Sequence, residues 1–177
     1  MVLLIEAREW DTKSELTAHL VETQRPSILL GSASEAPRKF YSFTVSHGEE
    51  LYEIGVSASG LGIAPSAILL EDKKVVVCFD TIVKWVDLLE MALTGCRRLD
   101  GAFFEFLPIK SNTEVLIVHE LGICRVDSRG NFLWKLQTDI LEYANVYSDD
   151  EIAVKLLDCN SIFHISSVDG AIITKSA

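Results

Sequence analysis

Residues 114–136, EVLIVHELGICRVDSRGNFLWKL, decide the fold that we predict for this chain. One apolar run ends at an acidic residue and a glycine. A second run follows, and a polar turn around Gly130 leads to a third run that contains Trp134. Short runs rich in β-branched and aromatic residues, separated by Gly and polar residues, are typical of strands. The stretch therefore predicts three antiparallel strands of one small sheet.

Two further copies of this pattern, at residues 75–87 and 152–166, indicate an internal repeat. Val86 and Val126 are 40 residues apart, and Val126 and Ile165 are 39 apart. An apolar run also precedes each copy, which gives four strands per unit; these runs are residues 67–71, 103–109 and 141–147. A single four-stranded unit cannot bury both of its faces, so neighbouring copies must stack on each other.

The repeat resembles the blades of PQQ-like and WD40-like β-propellers over residues 67–176. The second copy carries the match, because Asp127, Gly130 and Trp134 in VDSRGNFLW are similar to the Asp, turn Gly and Trp of PQQ-type blades. Thr94 and Thr174 are the nearest equivalents of this Trp in the other copies. The resemblance implies an all-β fold: an incomplete propeller-like stack of four-stranded antiparallel sheets, with about three blades. It implies no cofactor, because the blade motif is a packing device.

Residues 1–60 predict a β-rich segment ahead of the repeats. Residues 40–46 and 51–58 form the strands of a hairpin in this prediction. Residues 11–24 fit either a short amphipathic helix or a strand, and their β-rich surroundings favour a strand. The Gly- and Pro-rich residues 59–66 mark a boundary. We therefore expect an N-terminal segment, 1–60, and three repeats in 61–177, together forming one compact unit.

The net charge of −10 is spread along the chain, with −4 in residues 1–60 and −6 in residues 61–177. An acidic chain without a basic stripe is a poor candidate for binding nucleic acid. The same charge suits a soluble protein, or one that binds a basic protein partner.

Four cysteines, none in a C-x-x-C pair, predict free thiols in a reducing compartment. The N-terminus lacks both the basic region and the long apolar stretch that a signal peptide needs. No window approaches 18 uninterrupted apolar residues, so no membrane span is expected. These features predict a cytoplasmic protein.

The search for catalytic or metal-binding motifs assigns no residue to either role. The four histidines are not at metal-ligand spacing, and there is no G-x-S-x-G or P-loop motif. One alternative remains open: a small-ligand or metal-binding enzyme that uses the mouth of the blade stack. In that alternative His119, His164 and a carboxylate hold the metal.

Trp85, Arg125 and His164 occupy the same position in the three copies. If equivalent positions lie side by side along one surface, these residues form a protein-binding strip, since Trp and Arg are enriched in interface hot spots. The alternative is that they cover adjacent blades, with Trp85 packed and the Arg125 stem lying along apolar surface.

The leading hypothesis for function is a non-enzymatic protein-binding or scaffold module, one version of which neutralises a basic protein partner. An incomplete propeller is expected to expose an apolar face on each end blade. We expect the N-terminal segment to cover one end. A second copy of the chain is expected to cover the other, giving a homo-oligomer.

Overall fold

The computed structural model describes residues 5–31, 37–61, 63–70, 73–109, 111–159 and 161–176. Within these ranges the chain forms sixteen strands and one helix, arranged as four four-stranded sheets. It divides into two compact units, Met1–Arg98 and Leu99–Ala177. The predicted division at 60/61 falls inside the first unit, between two of its sheets, and stays a prediction.

The N-terminal sheet has mixed strand directions. Its strands, in the spatial order β1-β3-β4-β2, are β1 (Ile5–Trp10), β2 (Ser27–Gly31), β3 (Lys39–His47) and β4 (Glu50–Ala58). β3 and β4 form the predicted hairpin. β2 pairs parallel to β4, so this sheet is not built like the repeats that follow.

Residues 11–24 contain a helix, α1 (Lys13–Glu22), and the strand favoured for this segment is wrong. Thr12 and Glu15 form a capping box: each side chain accepts a hydrogen bond from the other residue's backbone N–H. Leu16 and Leu20, one helical turn apart, are buried on the N-terminal sheet. Capping and this i, i+4 pair together fix the helix.

The three predicted repeats are confirmed as three antiparallel four-stranded blades. Blade 1 consists of β5 (Ser66–Leu70), β6 (Lys74–Phe79), β7 (Ile82–Asp87) and β8 (Ala92–Arg98). Blade 2 consists of β9 (Phe103–Leu107), β10 (Glu114–His119), β11 (Gly122–Asp127) and β12 (Phe132–Gln137). Blade 3 consists of β13 (Leu141–Ser148), β14 (Glu151–Leu156), β15 (Ile162–Ser166) and β16 (Ile172–Ser176).

The strand register repeats from blade to blade. In each one the pairing of the third and fourth strands shifts directly after Trp85, Arg125 or His164. The residues opposite these three are Gly95, Trp134 and Thr174. Thr174 is therefore the equivalent of Trp134 in blade 3, as predicted, whereas the equivalent in blade 1 is Gly95 and not Thr94.

Each unit has its own apolar core. In the first unit, buried residues of the N-terminal sheet, such as Phe43 and Ile54, cluster with Val75, Phe79 and Leu88 of blade 1 and its flank. The N-terminal segment thus packs against the first repeat, as expected. In the second unit the core lies between blades 2 and 3. No helix in the described part of the chain has the length and apolar character needed to cross a membrane.

Candidate interaction surface

Arg125 and Trp134 join blade 2 to blade 3. The Arg125 guanidinium forms an ion pair with Glu114, with Nε donating to Oε2 over 2.6 Å, and its Nη1 donates to the carbonyl oxygen of Ser167 over 2.8 Å. Trp134 Nε1 donates to the same carbonyl oxygen over 3.2 Å. Both side chains therefore hold the turn between β15 and β16.

The Trp134 ring also lies directly against this turn. Gly170 has a φ of +73°, and a Cβ atom there would lie 2.8 Å from the Trp134 ring. Only glycine fits without displacing the indole. Asp127 shapes the matching turn of blade 2 by accepting hydrogen bonds from the Arg129 and Asn131 backbones. Burial disfavours its charged form, but these bonds and one from the Asn131 side chain outweigh burial and lower the pKa of Asp127.

Trp85 is buried, with 1% of its surface exposed, and its indole is not accessible to a partner in this structure. Its ring faces Gly95, where a Cβ atom would lie 3.3 Å away. Trp85 belongs to the first unit, and Arg125 and His164 belong to the second. The common strip of these three residues stays a prediction.

Within the second unit, Arg125 and His164 are not brought together. Arg125 reaches toward blade 3 from blade 2. His164 lies between Phe163 and Ile165, which both pack into the core between these blades. Because side chains alternate across a strand, His164 points to the opposite face of blade 3. We call this the outer face of blade 3; it carries Asn145, Ala153, Lys155, Ile162 and His164.

The outer face of blade 3 carries fewer large apolar side chains than the equivalent face of blade 2. The register matches the positions as follows: Leu107 with Asn145, Leu116 with Ala153, Val118 with Lys155, Ile123 with Ile162, and Trp134 with Thr174. Only the isoleucine is retained. The matched positions of blade 3 thus carry less apolar surface than those of blade 2. The exposed apolar end face and the homo-oligomer expected from it stay predictions.

Charged and aromatic groups meet on the outer face of blade 3. His164 Nδ1 lies 3.6 Å from Glu151 Oε2, at the ladder positions that Arg125 and Glu114 occupy in blade 2. The His164 ring makes an edge-on contact with Tyr147, with 4.7 Å between ring centroids, and Tyr147 is 69% exposed. The result is an exposed aromatic ring beside a carboxylate.

Lys155 Nζ lies 2.8 Å from Glu142 Oε2 beside this group. Its hydrogen bond to Glu142 and the charge of that carboxylate raise the pKa of Lys155. Lys155 is thus already paired with an acid of the same blade.

The described residues form no ligand set for the metal-site alternative. Among the described residues, no three His, Cys, Asp or Glu side chains come together as metal ligands. His119 is 4% exposed at the end of β10, and its Nδ1 has no hydrogen-bond partner. Burial lowers the pKa of His119, and nearby Lys135 acts in the same direction against Asp100 and Glu120. His119 is therefore a buried side chain that is neutral at pH 7 and is not part of a surface.

One buried polar cluster was not predicted from the sequence. Glu53 of β4 is fully buried, and its Oε1 accepts from Arg25 Nη1 over 2.5 Å and from Thr44 Oγ1 over 2.9 Å. His19 Nε2 of α1 lies 3.5 Å from its Oε2. Partners from three segments surround this carboxylate, although its Oε2 accepts no hydrogen bond among the described residues. The cluster thus fastens α1 and the entry to β2 onto the sheet. No motif signals it, because the partners are distant in sequence.

Comparison with solved structures identifies the fold. The crystal structure of BamB from Moraxella catarrhalis, a β-propeller, matches 98% of this chain and 52% of that chain, with 12% identity and a TM-score of 0.52. The β-propeller domain of Cps50 (Swd1) from Myceliophteria thermophila matches 64% of this chain and 41% of that chain, with 10% identity and a TM-score of 0.47.

The chain spans about half the length of the BamB chain that it matches. No protein-family profile and no curated protein matches the sequence. The protein is thus a partial β-propeller by fold, as the repeat pattern predicted.

Proposed function

We propose that this protein is a non-enzymatic binding module that holds a basic protein partner on the outer face of blade 3. The replacement of large apolar side chains of blade 2 by smaller or polar ones at the same register positions of blade 3 carries this proposal; Leu107, Leu116 and Val118 correspond to Asn145, Ala153 and Lys155. A face with this composition offers less apolar surface for docking another blade than the equivalent face of blade 2. It suits a polar partner whose groups match its own.

Electrostatics supports a basic partner. Residues 141–176 contain six acidic and two basic residues, a net charge of 2 − 6 = −4. In contrast, residues 66–98 of blade 1 contain five of each sign and sum to zero. Lys155 and Glu142 pair and sum to zero, so the net charge of −4 comes from the other five acids and one lysine of these residues. Charge complementarity of this kind steers association and selects partners by sign.

Tyr147 supplies a candidate anchor. Tyr is enriched in binding hot spots because it offers a large apolar ring with a polar end. The contact with His164 fixes one side of the ring and leaves the other side open. The Tyr147 ring and the Glu151 carboxylate would then contact an apolar stem and a cationic head, as Lys and Arg present.

Site-specific photocrosslinking tests this function. A photoreactive phenylalanine derivative replaces Tyr147 in one protein and the similarly exposed Leu89 in a matched control. We expect a discrete protein adduct at position 147 and none at position 89. The adduct should disappear at about 0.5 M salt, since screening weakens exposed charge pairs. The captured protein should be basic and, once purified, should bind the wild-type chain.

A charge variant completes the test. Glu142→Gln with Glu151→Gln should weaken binding of the purified partner by about tenfold, the equivalent of roughly 1.4 kcal/mol for two exposed contacts. Adducts of equal intensity at positions 147 and 89, or an adduct unaffected by salt and by the variant, would overturn the proposal.

A further inference from the structure

The second unit contains a cleft of about 450 Å³, which is separate from the outer face of blade 3. It lies between blades 2 and 3, where the end of β12 meets β15 and β16. Leu136, Leu156 and Phe163 line it, and all three also pack against the core between the blades. Ile172, 64% exposed, forms part of its wall. The cleft is thus an apolar slot with room for one or two side chains.

The charge of the cleft is one-sided. Asp139 is the one charged residue among its described lining, and no Lys or Arg is present there. A cationic group beside an aliphatic one would match this lining, with the aliphatic part in the slot and the cation at Asp139. An acidic ligand would be repelled by Asp139. A purely polar ligand would leave the apolar walls in contact with water.

The strands at the cleft favour a peptide over a compact small molecule. β12 is an edge strand of blade 2 and β16 is an edge strand of blade 3, and neither pairs with a further strand in the described structure. An edge strand offers unpaired N–H and C=O groups to an extended chain. Leu136 and Gln137 of β12 lie on the cleft itself, so pairing with β12 brings a peptide's side chains to the slot.

We propose that this cleft binds an extended basic segment of the partner, with one aliphatic side chain in the slot and a Lys or Arg at Asp139. The segment pairs through its backbone with the free edge of β12. The inference rests on the proposed function and names the part of the basic partner that docks. In an extended chain, residues two apart point to the same side about 7 Å apart, which lets both groups reach their sites.

Cys159 lies on the cleft and reports its occupancy. Cys96 is exposed in β8 of the first unit, whereas Cys78 and Cys124 are buried. Burial raises the pKa of the Cys124 thiol to about 12, so that thiol stays unreactive. In a Cys96→Ser protein, maleimide labelling therefore follows Cys159.

The experiment uses three fluorescein-labelled octapeptides on the full chain. The first has a central Leu with Lys two positions away on each side, the second has Ala in place of Leu, and the third has Glu in place of Lys. We expect the first peptide to slow the labelling of Cys159 in the Cys96→Ser protein. Measured by anisotropy, it should bind at least about tenfold tighter than either of the others, because they lose the buried side chain or the charge match.

Two variants test the location. Ile172→Asp and Asp139→Asn should each weaken binding of the first peptide by about fivefold or more. The exposed Leu93→Asp in blade 1 is the matched control and should leave binding unchanged. Equal binding of all three peptides, no protection of Cys159, or equal weakening by Leu93→Asp would overturn the inference. If these results came with a salt-sensitive adduct at position 147, the proposed function would stand and only the cleft assignment would fail.

Discussion

At one repeated position the three blades carry Trp85, Arg125 and His164, and the structure gives each a different environment. Trp85 is buried. Arg125 joins blade 2 to blade 3 through the Ser167 carbonyl, and His164 lies on the outer face of blade 3 beside Tyr147. The sequence spacing correctly predicted that the positions are equivalent. It did not predict whether each side chain is covered or exposed. A stacked blade turns one face to its neighbour, so the burial of an equivalent position depends on that neighbour.

His119 makes stability depend on pH. Its pKa lies below the ordinary value of 6.5, so the unfolded chain binds more protons than the folded one between these two pKa values. The stability contributed by the neutral side chain is therefore present above pH 6.5 and is lost as pH falls below it. For one proton the slope is at most about 1.4 kcal/mol per pH unit.

Urea unfolding of the wild type and of His119→Gln at pH 7.5, 6.5 and 5.5 measures this slope. The free energy of unfolding should fall toward pH 5.5 more steeply in the wild type than in the variant. Asp127 and Asp169, whose pKa values are also lowered, titrate at lower pH and do not interfere. Parallel pH profiles for the two proteins would show that His119 is not the group responsible.

At the scale of elements, the turn of blade 3 depends on Gly170. Gly170→Ala places a Cβ atom 2.8 Å from the Trp134 ring at a φ of +73°. Gly48 is the matched control, because its φ is +67° and nothing lies within 4 Å of the added atom. Gly48→Ala should cost only the backbone strain, about 1–2 kcal/mol. Gly170→Ala should cost about 2–4 kcal/mol, since overpacking adds to that strain.

Urea unfolding with far-UV circular dichroism gives both free energies. Tryptophan emission adds a second observable, because Trp134 is the one of the three Trp residues whose ring lies against Gly170. The emission of Gly170→Ala should shift as the indole leaves the turn, and that of Gly48→Ala should not. Equal costs for the two substitutions would mean that Trp134 does not pack on this turn.

Local sequence patterns predicted the blades well and α1 poorly. In the blades, the alternation of apolar and polar residues, the acidic residues at strand ends and the turn glycines all indicate the same strands and turns. Asp80 and Asp158 adopt the left-handed φ values of +52° and +60° that such turns use. In α1, Leu16 and Leu20 satisfy both a two-residue and a four-residue period. The capping pair of Thr12 and Glu15 was the available signal for a helix.

The candidate site was less predictable than the fold. The Tyr147–His164 contact depends on β13 and β15 flanking β14, with a register shift in the pairing of β13. The cleft depends on how two sheets stack, which no short pattern encodes. His164 alone was selected from its repeat position, and Tyr147, Glu151 and Asp139 were not.

At the scale of the whole molecule, charge and polarity differ between repeats that share one architecture. Blade 1 is neutral in sum and blade 3 carries −4. Blade 2 keeps Leu116 and Val118 where blade 3 has Ala153 and Lys155. Since architecture alone requires none of these differences, they are the features that point to a partner and to the face that receives it.

Sedimentation velocity over a range of concentrations tests this account most directly, using the wild type and the variant Asn145→Leu with Ala153→Leu and Lys155→Val. These substitutions give the outer face of blade 3 the residues of blade 2 at the same register positions. We expect the wild-type chain of 19.7 kDa to keep one sedimentation coefficient, whereas the variant should self-associate through its new apolar face. A wild-type dimer that Tyr147→Asp dissociates would contradict it, because the outer face would then bind a second copy of the chain instead of a basic partner.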